Sequence, residues 1–232
     1  MDNKYTTVII PAAGKGKRMG AQISKQYLEI GDKPIIVHTI EKFDQSLLIH
    51  EIRVVTSKEE MGYFKEEILS KYHFNTPIKI VAGGNERQES VYNGLKNISP
   101  KAEIILIHDG ARPFISKEEI EKSIEGAKVY GACVLGVRVK DTIKICNEEG
   151  YVESTPRRES LWAVQTPQSF QKSIIMEAHR KAAEEHFLGT DDATLAERLG
   201  YPIKIIEGSY QNIKITTPDD LTIGEAILRK SL

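Results

Sequence analysis

Ten residues at positions 11–20, PAAGKGKRMG, combine both properties a phosphate cradle needs. Ala12, Ala13, Gly14 and Gly16 are small, so the backbone can approach a ligand and successive N–H groups can form an anion-binding nest. Lys15, Lys17 and Arg18, followed by Lys25, place four cations within eleven positions. Such a set suits a triphosphate, because in-line attack at phosphorus adds negative charge in the transition state. A charged turn lying in solvent is the competing reading. Spacing excludes two familiar phosphate loops. No GxxxxGK followed by Ser or Thr occurs, and the glycines run G-x-G-x-x-x-G rather than G-x-G-x-x-G.

Asp109 is the second candidate. It follows the apolar run 104–107 within the string HDGARP. One carboxylate beside a phosphate loop suits Mg2+, which is held by one or two carboxylates plus substrate phosphates. An aspartate opening a turn ahead of Gly110 and Pro113 would look the same. The six histidines are scattered, with no HExxH and no Cys/His cluster, so zinc is not indicated. His108 reads as a strand-end hydrogen-bonder. GxSxG is absent, which removes a serine-hydrolase elbow.

Positioning these groups falls to short β-branched runs alternating with longer amphipathic stretches. Strands are expected at 6–11, 50–56, 78–81, 104–107, 133–137 and 203–207, and helices at 35–43, 59–72, 88–97, 171–185 and 191–199. Ser116 with Glu119 three residues on predicts a capping box for a helix to Tyr130, and a last helix follows Thr217-Pro218. Apolar rather than alternating strands in βαβα order predict a mostly parallel sheet covered on both faces, an α/β fold. Ligands of such sheets bind beyond the carboxyl ends of the strands. The clusters at 12–20, 83–90 and 108–113 are therefore expected to meet. The rhythm changes between about 140 and 160, where 142–146 and 151–154 flank Asn147-Glu148-Glu149-Gly150 as a β-hairpin. This is either a decorative insertion or an arm toward another subunit. A single domain, 1–232, with this arm is the simplest organisation.

The chain carries 32 Lys and Arg against 33 Asp and Glu, a net charge of −1 that excludes a bulk nucleic-acid binder or polybasic membrane protein. At this length a chain buries roughly 70% of its unfolded surface, so the core needs no disulfide or metal staple. Cys133 and Cys146, in apolar strand-like stretches without CxxC spacing, read as reduced and structural. MDNKYTTVIIPAAG lacks the pattern of an export signal, and no apolar run approaches the ~20 residues of a membrane span. A cytoplasmic location is expected.

Eight strings in register carry a resemblance: PAAGKGKRMG, KQYLEIGDKPI, GGNERQESVYNGL, HDGARP, VKDTIK, LWAVQTPQSF, TDDA and NIKITTPDDL. Through them the chain resembles the 2-C-methyl-D-erythritol 4-phosphate cytidylyltransferases of the non-mevalonate isoprenoid pathway. The resemblance implies a three-layer, Rossmann-like nucleotidyltransferase fold and a homodimer through the β-arm. It implies transfer of CMP from CTP to the sugar-alcohol phosphate, with Mg2+ required and pyrophosphate released. The implied CTP site comprises Ala12, Ala13, Gly14, Lys15, Gly16, Gly83, Gly84, Asn85, Ser90 and Asp109, the last also meeting Mg2+ directly or through water. Arg18 and Lys25 match residues that stabilise the transition state. Arg112, Thr142, Arg158, Thr166 and Lys214 match positions that hold the sugar phosphate, with Arg158 and Lys214 also counted in the catalytic set. In the family the arm bearing the Thr142 and Arg158 positions reaches the neighbouring subunit's site.

Ribitol 5-phosphate cytidylyltransferases are the nearest alternative. They share KQ, the strand-end HD and TPQ but commonly read HDSVRP, so HDGARP favours methylerythritol phosphate. A 3-deoxy-manno-octulosonate cytidylyltransferase is more remote, since its nucleophile is a hydroxyl. A catalytically silent nucleotide-binding module fits poorly with the presence of Arg18, Lys25 and Lys214.

Overall fold

The structure, a computed structural model, describes residues 4–14 and 24–230. In chain order its strands are β1 (Thr6–Pro11), β2 (Glu29–Ile30), β3 (Lys33–Pro34), β4 (Glu51–Thr56), β5 (Ile78–Ala82), β6 (Ile104–Ile107), β7 (Ala132–Arg138), β8 (Ile145–Cys146), β9 (Val152–Ser154), β10 (Trp162–Gln171) and β11 (Lys204–Glu207). The helices are α1 (Ile35–Asp44), α2 (Met61–Tyr63), α3 (Arg87–Leu95), α4 (Lys117–Tyr130), α5 (Lys172–Glu184), α6 (Asp192–Arg198) and α7 (Pro218–Lys230). Seven strands form one sheet in the order β11-β7-β10-β6-β1-β4-β5. β10 runs antiparallel to both β6 and β7, and every other pair in this sheet is parallel.

β1 shows why the sheet is coated twice. Successive residues of a strand face opposite sides, and Val8, Ile9 and Ile10 are all fully buried. Val8 and Ile10 join Ile40 and Phe43 of α1 and Ile120 and Ile124 of α4 in one core. Ile9 joins Val91 and Leu95 of α3, Ile175 and Ala178 of α5 and Leu195 of α6 in the other. The expected three layers follow: helices, a mostly parallel sheet, helices. A third cluster, Ile30, Ile35 and Ile215 with Leu28, Phe114 and Leu221, ties the β2–β3 hairpin to the segment bearing Lys214 and to α7.

Local signals hold where they were strongest. α4 has its full capping box: the Glu119 N–H donates to Ser116 Oγ, and the Ser116 N–H donates to the Glu119 carboxylate. At its other end Gly131 adopts φ 81°, a conformation open to glycine, and its N–H closes on the Ala127 carbonyl.

Three expectations need correction. No strand was expected over 162–171, yet β10 is a ten-residue strand inside the sheet, between β7 and β6. The helix expected over 59–72 is shorter, α2 continuing as a π-helical turn, Phe64–Leu69, that buries Phe64 and Ile68. The expected hairpin is present, pairing Ile145 with Ser154 and Cys146 with Val152. Its turn is set by Asn147, whose side-chain oxygen accepts from the N–H groups of Glu149 and Tyr151, and by Gly150 at φ 88°. Cys133 is buried, and burial pushes its thiol up to about 12, as befits a structural cysteine. Cys146 is exposed on the arm, so the structural reading fails there.

Candidate active site

The carboxyl ends of β1 and β6 and the loop after β5 close around one cleft, lined by residues 11–14, 25–26, 84–87, 90, 109–111 and 214. The three clusters expected to meet do so as far as the described residues reach. Lys15, Gly16, Lys17 and Arg18 lie outside those residues.

Each wall has a local cause. The Ala12 N–H donates to the Val55 carbonyl at 2.7 Å, extending the β1–β4 pairing one residue into the loop. The Ala12 carbonyl accepts from the buried amide of Gln26, which ties the start of the loop to its return. Lys25 opens the 3-10 turn Lys25–Tyr27 beside that anchor and lines the cleft. On the opposite wall Gly83 and Gly84 are required by space. A Cβ on Gly83 would lie 2.8 Å from Ser90 Oγ and 3.0 Å from Ala13 Cβ, and one on Gly84 would lie 2.5 Å from Glu89 Cβ. The N–H groups of this loop are engaged internally: Gly83 to the Thr56 carbonyl, Gly84 to Ser90 Oγ and Asn85 to Glu89 Oε2.

Asp109 gathers the cations. Its Oδ2 accepts from Lys214 Nζ at 2.7 Å, its Oδ1 from Arg87 Nε at 3.1 Å, and Arg112 Nε stands 4.0 Å from Oδ2. Burial works to raise its pKa, but Arg87, then Lys214 and Arg112, hold the carboxyl well below the usual range. Its main-chain N–H donates to Thr166 Oγ1 at 3.0 Å. Ionised carboxylates offer about four acceptor positions, so the hydrogen bonds from Lys214 and Arg87 do not exhaust Asp109, which itself lines the cleft. Among the described residues no group of three or more His, Cys, Asp and Glu could hold a metal. The donor set thus fits Mg2+ held by one aspartate and substrate phosphates, not a cage supplied by the protein alone.

His108 lies beneath, fully buried, in the role expected of it. Its Nδ1 is 3.2 Å from Thr166 Oγ1 and its Nε2 is 3.0 Å from the Arg112 carbonyl. Thr166 already accepts from Asp109, so its hydroxyl donates to Nδ1 and Nε2–H donates to the carbonyl. The neutral ring is satisfied, and burial pushes its pKa down to about 4. The unfolded chain takes up this proton near 6.5 while the folded chain resists until about 4, so stability falls as pH drops between those values. His108 accounts for about 3 kcal/mol of that fall. His108→Gln is expected to flatten the acid limb of urea-unfolding free energies over this window, and an unaltered slope would remove the assignment.

The structure separates the remaining site candidates. Arg112 is mostly buried, donates to the Asn212 carbonyl at 2.7 Å and does not line the cleft. Thr166 is buried, its hydroxyl engaged by Asp109 and His108. Thr142 and Arg158 lie exposed on the arm, away from this chain's own cleft, and Arg158 Nη1 donates to the Lys140 carbonyl. Lys214 is placed by Ile215, fully buried with its N–H on the Ala111 carbonyl, and by Asn212, whose amide donates to the Thr166 carbonyl at 2.9 Å. Sequence reasoning missed Arg87, Gln26 and Asn212. All three stand within the quoted strings, but a charged first-turn residue such as Arg87 reads from sequence as a solvated one.

Comparisons with known proteins agree with this geometry. The family model described as IspD, 2-C-methyl-D-erythritol 4-phosphate cytidylyltransferase, matches residues 6–230. A protein of that name from Caldanaerobacter subterraneus subsp. tengcongensis is 51% identical over 224 residues, 97% of this chain and 99% of the relative. One from Clostridioides difficile is 50% identical, covering 96% of this chain and 93% of the relative. The crystal structure of 4-diphosphocytidyl-2C-methyl-D-erythritol synthase from Anaerococcus prevotii superposes with a TM-score of 0.87 at 35% identity, covering 98% of this chain and all of that one. The sheet, the cleft and nearly the whole sequence therefore lead to one conclusion: the chain belongs to the 2-C-methyl-D-erythritol 4-phosphate cytidylyltransferase family.

Proposed function

We propose that the chain transfers CMP from CTP to 2-C-methyl-D-erythritol 4-phosphate, giving 4-diphosphocytidyl-2-C-methyl-D-erythritol and pyrophosphate. The observation that carries this is the convergence of a glycine-lined cleft with Lys25, Lys214 and Asp109 in a chain of this family. A phosphate monoester oxygen attacks the α-phosphorus and pyrophosphate leaves. That nucleophile is already anionic, so no general base is needed, and the buried, neutral His108 offers none. Catalysis then consists of positioning and charge stabilisation. Lys25, with Arg18 and Lys15, meets the charge developing on the triphosphate. Lys214 turns from Asp109 toward incoming phosphate. When bound, Mg2+ supplies further charge neutralisation, and Asp109 would hold it directly or through water. The tight 83–85 turn, where a Cβ on Gly83 or Gly84 would collide with Ser90 or Glu89, leaves room for a pyrimidine beside it rather than the larger purine.

The arm completes the site in a homodimer. Ile143, Ile145, Tyr151 and Val152 are exposed on it, a hairpin with apolar residues and no cover in its own chain. Paired with a second copy, it would carry Thr142 and Arg158 to the partner's cleft. Arg158→Ala is expected to raise KM for the sugar phosphate more than KM for CTP, and equal changes would argue against this role. Mixing Arg158→Ala chains with Lys25→Ala chains should regenerate one unaltered site per heterodimer. The fold serves as a single nucleotidyltransferase domain with the arm at 140–160. No described helix is long and apolar enough to cross a membrane, which is compatible with a cytoplasmic enzyme. Mass spectrometry of the product from CTP, Mg2+ and methylerythritol phosphate tests the reaction. Equimolar diphosphate ester and pyrophosphate are expected, and free CMP or CDP would reject it.

A further inference from the structure

The TDDA string, Thr190 to Ala193, has so far had no chemical role. Asp191 has a local one. Its Oδ1 accepts from the Thr194 N–H and hydroxyl at the start of α6, and its Oδ2 accepts from Gln168 of β10. Asp192 has none of this kind. Its side chain is 1% exposed, yet no helix cap requires it there. Burying a carboxylate costs several kcal/mol unless partners compensate. Its Oδ2 accepts from Arg87 Nη1 at 2.7 Å, and its Oδ1 faces His179 Nε2 at 3.1 Å. Burial opposes ionisation of Asp192, and Arg87 and His179 override it, so the carboxyl stays below its ordinary pKa.

An ionised carboxylate only accepts, so His179 must carry its proton on Nε2 and donate to Asp192. The ring is stacked on Tyr92 at 5.8 Å, and Nδ1 is buried without a hydrogen-bond partner among the described residues. A chain of contacts therefore runs His179–Asp192–Arg87–Asp109, from α5 through α6 and α3 to the end of β6. Arg87 is a third exposed and, without its Nη1 anchor, could rotate toward the phosphates in the cleft. As placed, it occupies Oδ1 of Asp109, while Oδ2 takes Lys214 and lies 4.0 Å from Arg112 Nε, and Asp109 itself lines the cleft.

We propose that Asp192, oriented by His179, is a positioning residue: it holds Arg87 on one oxygen of Asp109 and so fixes which oxygen meets the nucleotide and its metal. The inference rests on the proposed function of the cleft. Its consequence is selective. Nucleotide–metal engagement depends on Asp192 directly, whereas the sugar phosphate feels it only at second hand, through Lys214 and Arg112 on the other oxygen of Asp109.

The test uses full-length wild type, Asp192→Asn, His179→Phe, which keeps the ring against Tyr92 without the donor, and His179→Gln, which restores a donor. Asp192→Asn is expected to raise KM for CTP and the half-saturating Mg2+ concentration about tenfold, as loss of an orienting outer residue does. KM for methylerythritol phosphate is expected to change far less. His179→Phe should shift the same two quantities in the same direction, and His179→Gln should return them toward wild type. Calorimetric titration with CTP, with and without Mg2+, reads the same point without turnover: the affinity gained from Mg2+ should shrink in Asp192→Asn. If the altered chains show lower thermal midpoints and lower active fractions but wild-type KM, Mg2+ dependence and calorimetry, Asp192 is only structural and the proposal is overturned. Should Asp192→Asn fail to fold, His179→Phe decides by the same readouts. If wild type releases no pyrophosphate from this substrate pair, the proposed function fails, and calorimetry alone still decides on positioning.

Discussion

Lys25→Ala is expected to lower kcat at least ~100-fold, about 2.7 kcal/mol of transition-state stabilisation, while KM for CTP changes far less. Lys25 opens a 3-10 turn at the cleft, and its neighbours fasten that turn from both sides. The Gln26 amide donates to the Ala12 carbonyl, and the Tyr27 hydroxyl is 3.1 Å from Thr56 Oγ1. Removing the Lys25 ammonium should leave those anchors and the fold in place. What is lost is a cation where attack on the α-phosphorus concentrates charge, an interaction stronger in the transition state than in the bound substrate. Steady-state kinetics of pyrophosphate release separate the cases. A near-wild-type kcat with a raised KM would make Lys25 a simple binding residue. Arg18→Ala carries the same expectation from the family resemblance.

Asp109→Asn is expected to be comparably severe for a different reason. The carboxylate compensates Arg87 and Lys214 and approaches Arg112. Neutralising it leaves cations facing one another at the end of β6 and removes the donor proposed for Mg2+. kcat/KM for CTP should fall at least ~100-fold, with rate depending on Mg2+ only at much higher concentration. The stability loss should be smaller, about 1–3 kcal/mol, because Lys214 and Arg87 are each about a third exposed and solvent softens the uncompensated charge. Wild-type Mg2+ dependence in Asp109→Asn would separate this residue from the metal altogether.

What could be read from sequence tracks how local the cause is. β1, β4, β6 and β7 declare themselves because their β-branched, apolar residues need no partner to be recognised as buried strands. β10 hides because its centre is polar and contains Pro167. Gln165, Thr166, Gln168 and Ser169 are buried there, three of them through tertiary partners: Ser209 for Gln165, Asp109 for Thr166 and Asp191 for Gln168. The glycine-rich loop and Asp109 were legible as chemistry because residue type, spacing and strand ends coincide. Arg87 was not, since its meaning lies in Asp192, 105 positions away, and no periodicity reports that contact. The arm was legible as a hairpin from Asn147 and Gly150. Its exposed apolar residues become informative only once the rest of the chain is seen not to cover them.

The most direct test compares kcat/KM for pyrophosphate release with methylerythritol phosphate and with ribitol 5-phosphate, each with CTP and Mg2+. The expected result is a preference of at least ~100-fold for methylerythritol phosphate, within reach of a site that hydrogen-bonds its substrate's hydroxyls. Equal rates, or a preference for ribitol 5-phosphate, would contradict the account.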